Sequence, residues 1–310
     1  MNLALFGAAR RLSKGTIVTW AAEHQSVLGA VRRLQSEGHS VVVAGVDRKA
    51  LADPDDIPAS AALVSIGLAN NEVGSIQPVD AVIERAHAIG ALVHVDACAG
   101  PRWIPIPPGA DLVSLSGHKL GGGRGGILFV RDGVRIDPLL YGGPQEWGRR
   151  GGREDVLAAV AVATALAICA RERSERPSAA ARQAATLRAL LVELGGALTG
   201  AESRLPNFAT AVVEDRRGED MLLALDLAGV AASSGSACAS GSLDPSHVLL
   251  AMGMTLGQAL GSLRLTTGYA TTDEEVTRAA TIIRSIFSPL PFGEQSVSPI
   301  LDAALREGLG

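Results

Sequence analysis

Nothing in this chain offers a basic stripe, a paired set of cysteines, or an apolar run long enough to cross a bilayer. Its formal net charge is -4, with 28 Lys and Arg against 32 Asp and Glu, so the electrostatic footprint of a nucleic-acid or membrane-surface binder is missing. Cysteine is scarce: Cys98, Cys169 and Cys238 are the only three. They make neither an even disulfide framework nor a metal-type pair, so no metal site is expected and each thiol is read individually. Every apolar stretch is interrupted by glycine or charge before it reaches bilayer length. Arg10, Arg11 and Lys14 lie near the start, but the Thr16 to Trp20 stretch that follows is too short for a signal-peptide core. These absences leave a cytoplasmic protein acting on a small molecule as the expectation.

With 310 residues, 47% of them hydrophobic and 19% charged, the chain is long enough for one large domain or two moderate ones. Short β-branched runs alternate with amphipathic stretches through the first half. Thr16 to Trp20 precedes Gln25 to Glu37; Ser40 to Val46 follows; Leu63 to Leu68 precedes Pro78 to Ile89; then come Ala91 to Val95, Asp111 to Leu115 and Gly126 to Val130. That alternation predicts an α/β fold with a mainly parallel sheet covered by helices. Two long helical patterns follow the Gly-rich segment Gly142 to Gly152, and the charged, Pro-ended stretch Arg173 to Pro177 between them predicts a boundary. The expected division is a large α/β domain over 1–175 and a smaller α+β domain over 176–310. Cys169, inside the apolar run Ala161 to Ala170, is expected in the core, and Cys98 is expected to be packed.

Three places carry reactive side chains. Lys119 ends an apolar strand and is followed by a Gly-rich turn, which is where an α/β sheet presents ligand-binding groups. Such an amine can form a Schiff base; the plainer reading is a solvated loop lysine. Asp96 closes the strand before it and either caps the next helix or faces a cationic ring nitrogen. Asn70 and Asn71 follow another strand and suit either a turn or hydrogen bonding to a ligand. The small-residue run Ser233 to Ser242 surrounds Cys238 with no side chain that packs well, so that thiol is read as accessible. Arg264, between apolar neighbours in a predicted strand, suggests a fixed anion such as a carboxylate.

In order and at close to family spacing, Ala22-Glu23-His24, Asn70 to Gly74, Val93 to Ala97, Ser114 to Lys119, Gly142 to Gly152, Leu205-Pro206-Asn207, Ser233 to Ser242 and Ser262 to Gly268 resemble the cysteine desulfurases. These are pyridoxal-phosphate (PLP) enzymes of the class V aminotransferase fold. The resemblance runs from Asn2 to about Phe287. It implies fold type I, a mainly parallel seven-stranded-type sheet with a smaller C-terminal α+β domain, and release of sulfur from L-cysteine to give L-alanine. By the resemblance, Lys119 holds the cofactor covalently, Asp96 partners its ring nitrogen, and His24 stacks on the ring and moves protons. Asn71 lies near the ring hydroxyl and substrate, Ser116 and His118 contact the phosphate, and Arg264 clamps the substrate carboxylate. Cys238 becomes the nucleophile and carries a persulfide on a loop resembled by Ser236 to Met252. A homodimer and a sulfur-acceptor protein, such as an iron–sulfur scaffold, are the implied partners. Within the same fold, the Ser-Gly-Ser-Ala-Cys run favours a desulfurase over a selenocysteine lyase or a cysteine-sulfinate desulfinase.

The sequence departs from the family pattern at Ala99, where a glutamine is usual, at Trp147, where an arginine is usual, and at Arg153, where a threonine is usual. Met1 to Leu5 resembles the helix that follows the family's phosphate-binding loop. The expectation is therefore an N-terminally truncated chain, from a misplaced start or a gene fragment, with weakened PLP affinity. The alternative reading is a cofactor-poor pseudoenzyme acting as a dimerising or acceptor-binding scaffold.

Overall fold

The structure is a computed structural model that describes residues 1–12, 14–235 and 245–287. After an N-terminal helix Asn2–Ala9 (α1), the apolar runs form strands Thr16–Trp20 (β1), Ser40–Ala44 (β2), Ala61–Gly67 (β3), Leu92–Asp96 (β4), Leu112–Ser116 (β5) and Gly126–Val130 (β6). They make one sheet in the order β2-β1-β3-β4-β5-β6, parallel except for β6, which joins β5 antiparallel. The sequence led us to expect a seven-stranded-type sheet; the described residues supply six strands.

Both faces of this sheet are covered, which is why its central strands read as unbroken apolar runs rather than as alternating ones. Successive residues go to opposite cores. Ile17, Leu63 and Leu112 pack under α1 and the helix Gln25–Ser36 (α2), whose Val27, Ala30, Val31 and Leu34 recur at helical spacing. Val18, Val64, Val93 and Val113 pack under Val79–His87 (α3), through Val79, Val82, Ile83 and Ala86. After β5 comes a single helical turn, Gly117–Leu120 (α4), and beyond β6 the long helix Val156–Glu172 (α5) seats Val162, Ala165 and Cys169 against Leu120. Cys169 is thus a core thiol, as expected.

The helix Arg176–Glu193 (α6) opens a second layer pair. Gly196–Leu198 (β7), Phe208–Val213 (β8) and Ser262–Thr266 (β9) form an antiparallel sheet in that order. Gly218–Leu227 (α7) and Asp273–Phe287 (α10) complete its core with α6. Two short helices, His247–Ala251 (α8) and Leu256–Leu260 (α9), precede β9. The expected long loop from Ser236 to Met252 is therefore corrected at its far end: Ser246 caps α8, its hydroxyl oxygen accepting the Leu249 N–H at 3.1 Å.

One polar side chain sits in the middle of the large sheet. The fully buried His94 spans three strands, with Nδ1 at 2.9 Å from Ser65 Oγ and Nε2 at 2.9 Å from Ser114 Oγ. Burial pushes its pKa from 6.5 down to about 4, with Asp96 opposing. The unfolded chain therefore binds a proton that the folded chain refuses, and stability is eroded as the pH falls from 6.5 towards 4. We expect the difference in unfolding free energy between wild type and His94→Gln to shrink by about 3 kcal/mol between pH 7 and pH 4. Urea denaturation at both pH values checks this, and a pH-independent difference would refute it.

Candidate active site

The carboxyl ends of β1, β3, β4 and β5 lie side by side, and the chain leaves β1 towards α2 on one face and β3 towards α3 on the other, so a cavity opens at their common edge. Its volume is about 170 Å³. Lys119, Asp96, His24, Asn71, Ser116 and His118 all line it. Six residues singled out from four distant segments thus face one space. Lys119 reaches it from α4, not from an open loop, and this turn demands glycine at its start. A Cβ on Gly117 would stand 2.5 Å from the Gly125 carbonyl oxygen and 2.6 Å from the Val162 side chain. Beside Lys119, Ser116 Oγ and His118 Nδ1 are hydrogen-bonded at 2.9 Å.

Asp96 has no helix to cap, since β4 runs on through turns to β5, and it closes a turn instead. Its Oδ1 accepts the Cys98 N–H at 2.9 Å, closing the turn, while the buried carboxylate still lines the cavity. His24 has a comparable double role as the N-cap of α2, where its Nδ1 accepts the Ser26 N–H at 3.1 Å. That acceptor role assigns the proton of the neutral ring to Nε2, the nitrogen left for other work. Burial lowers the pKa of His24, the positive charge of Lys119 lowers it further, and Asp96 opposes both.

Two titratable cavity residues escaped the sequence reading of the site. Glu23 is buried, and its Oε1 accepts the Gly67 N–H at 2.9 Å. Gly67 is the register partner of Asp96, so a second carboxyl stands beside the first. Burial raises Glu23 to about 8; the Gly67 hydrogen bond opposes this and Asp96 adds to it, so Glu23 is a neutral acid at pH 7. The other is Cys98, expected to be packed but in fact half-buried along the cavity. Burial, reinforced by Asp96, pushes its thiol up to about 12, so it carries a proton and is a poor nucleophile.

Arg264 stands at the cavity's flank, where its Nη1 donates to the Asn71 carbonyl at 2.7 Å. Next to it Glu72 is buried, accepts the Ser246 hydroxyl at Oε2, and lies 3.9 Å from His247 Nδ1. Burial raises the Glu72 pKa, while Ser246, His247 and Arg264 pull it back. The signal for this cluster was present as Pro245-Ser246-His247 before an apolar run, a helix start. Cys238 lies outside the described residues.

The three departures separate. Ala99 lines the same cavity, with no side-chain donor to offer. Trp147 and Arg153 line a different cleft, of about 570 Å³, between β6 and the start of α5. There Trp147 is 87% exposed, and its backbone holds φ 55°.

The family model described as aminotransferase class-V matches residues 1–279. A cysteine desulfurase of Gluconacetobacter diazotrophicus is 39% identical over 316 residues, covering 98% of this chain and 78% of its own length. Cysteine desulfurase IscS 1 of Archaeoglobus fulgidus is 37% identical over 311 residues, covering 96% of this chain and 80% of its own. A solved NifS-like protein aligns with a TM-score of 0.85 at 33% identity, over 93% of this chain and 80% of that one.

Proposed function

The chain belongs to the class-V aminotransferase family, in its cysteine desulfurase branch, and we propose that it is a PLP-dependent cysteine desulfurase converting L-cysteine to L-alanine. The observation that carries this reading is the meeting of Lys119, Asp96 and His24 in one cavity. The donor set suits the cofactor: an amine for its aldehyde, a buried carboxylate for its ring nitrogen, and a hydroxyl and an imidazole at the strand end for its phosphate. When bound, PLP supplies an electron sink for negative charge at the substrate Cα.

Each side chain then has a defined task. Lys119 Nζ is the amine that would hold the cofactor, and it is placed to take the proton from the substrate Cα. Asp96, buried at the cavity, would keep a proton on the ring nitrogen through its charge. His24, neutral and with Nε2 free, is suited to passing a proton near the ring. Asn71 orients the substrate, and Arg264, fixed against the Asn71 carbonyl, is the clamp for its carboxylate. The Cys238 thiolate attacks the substrate sulfur; the C–S bond breaks, its electron pair stays on the substrate carbon, and protonation yields alanine. The persulfide left on Cys238 passes to an acceptor protein, for which an iron–sulfur scaffold is our proposal, from a homodimeric enzyme. No helix among the described residues is long and apolar enough to cross a membrane.

The deciding assay is direct. Purified chain loaded with PLP and given L-cysteine with a reductant should absorb in the visible range and release alanine and sulfide in equal amounts. A fully loaded chain that stays inactive would defeat the enzyme reading and favour the scaffold alternative.

A further inference from the structure

His247, the first residue of α8, reaches across to the backbone that presents His24. Its Nε2 lies 2.9 Å from the Glu23 carbonyl oxygen, and its Nδ1 lies 3.9 Å from Glu72 Oε1. A carbonyl only accepts, so Nε2 carries a hydrogen. Nδ1 faces the Glu72 carboxyl, so the ring bridges two segments of the chain. The rest of the cluster supports the carboxylate. Ser246 donates its hydroxyl to Glu72 Oε2, and the Arg264 guanidinium acts on Glu72 from β9. The titratable groups around His247 are therefore Glu72 after β3, Glu23 and His24 before α2, and Arg264 on β9.

We infer that His247 is a positioning residue for the cavity: lodged between Glu72 and the Glu23 carbonyl, it pins the turn that presents His24 and shapes the electrostatics facing that ring. Its charge is one of the influences lowering the His24 pKa, behind burial and Lys119. Two segments far apart in sequence, residues 22–24 and 245–247, are thereby locked together with the turn at Asn70 to Glu72. The functional consequence rests on the desulfurase reading, but the measurement does not.

The test is an NMR titration of the full chain, with and without PLP, labelled on its six histidines and assigned by single replacements. In His247→Gln, whose amide can still donate to the Glu23 carbonyl, the His24 midpoint should rise, because one of the influences lowering it is removed. A merely structural tie would leave that midpoint unmoved in a chain that keeps its wild-type circular dichroism, and a midpoint that stands still overturns the proposal. If it moves while wild type releases no alanine from cysteine, the desulfurase reading fails and the role of His247 stands.

Discussion

Lys119→Ala is expected to remove the visible absorbance of the PLP-treated chain and to lower alanine formation by roughly 10⁴-fold. Two losses combine. Among the described residues Lys119 is the only lysine lining the cavity, so no other amine there can attach the cofactor, and the group proposed to move the Cα proton disappears with it. Lys119→Arg should not rescue, because a guanidinium stays protonated and does not act as an amine nucleophile. Folding should survive, since the Lys119 side chain is exposed to the cavity rather than packed in a core. Borohydride reduction of loaded wild type, followed by peptide mapping, should recover the cofactor on residue 119. Recovery at any other residue would refute the assignment, as would a Lys119→Ala chain still forming alanine within tenfold of wild type.

Much of this site was legible in the sequence because its chemistry is local to strand ends. Asp96 and Lys119 each follow an apolar run directly, and a parallel sheet brings such ends to one edge whatever the loops between them do. His24 carried a similar signal just beyond β1. What the sequence hid was pairwise and long-range. Glu23 reads as one more polar residue before a helix; only the register of Gly67 with Asp96 shows that it puts a second carboxyl beside the first. Cys98 reads as a core thiol because its neighbours are small and apolar, yet the turn closed by Asp96 aims it along the cavity. His247 is 224 residues from its carbonyl partner Glu23, and no local periodicity reports such a contact. Helix α8 was missed for a related reason: at five residues, its stability comes from packing Val248 and Leu249 against Ala22 and Val73 rather than from intrinsic propensity.

Cys238→Ala is expected to keep the visible absorbance and the binding of L-cysteine while sulfide release falls by on the order of 10³-fold or more, the scale of losing a nucleophile. Gly235, the last described residue before Cys238, donates its N–H to Ser262 Oγ at 2.9 Å, and a Cβ built on it would stand 3.0 Å from Glu72 Oε2. Glu72 directly follows Asn71 on the cavity wall. Neither of the other thiols is a substitute. Cys169 is 3% exposed, in the core under α5, and Cys98 keeps its proton because burial beside Asp96 lifts it to about 12. Cys98→Ala should therefore leave sulfide release within a few-fold of wild type, while alkylation of wild type at pH 7 should label residue 238 ahead of 98 and abolish turnover. If sulfide release survives Cys238→Ala but is lost in Cys98→Ala, the sulfur acceptor is the thiol inside the cavity, and the proposed route through residue 238 is wrong.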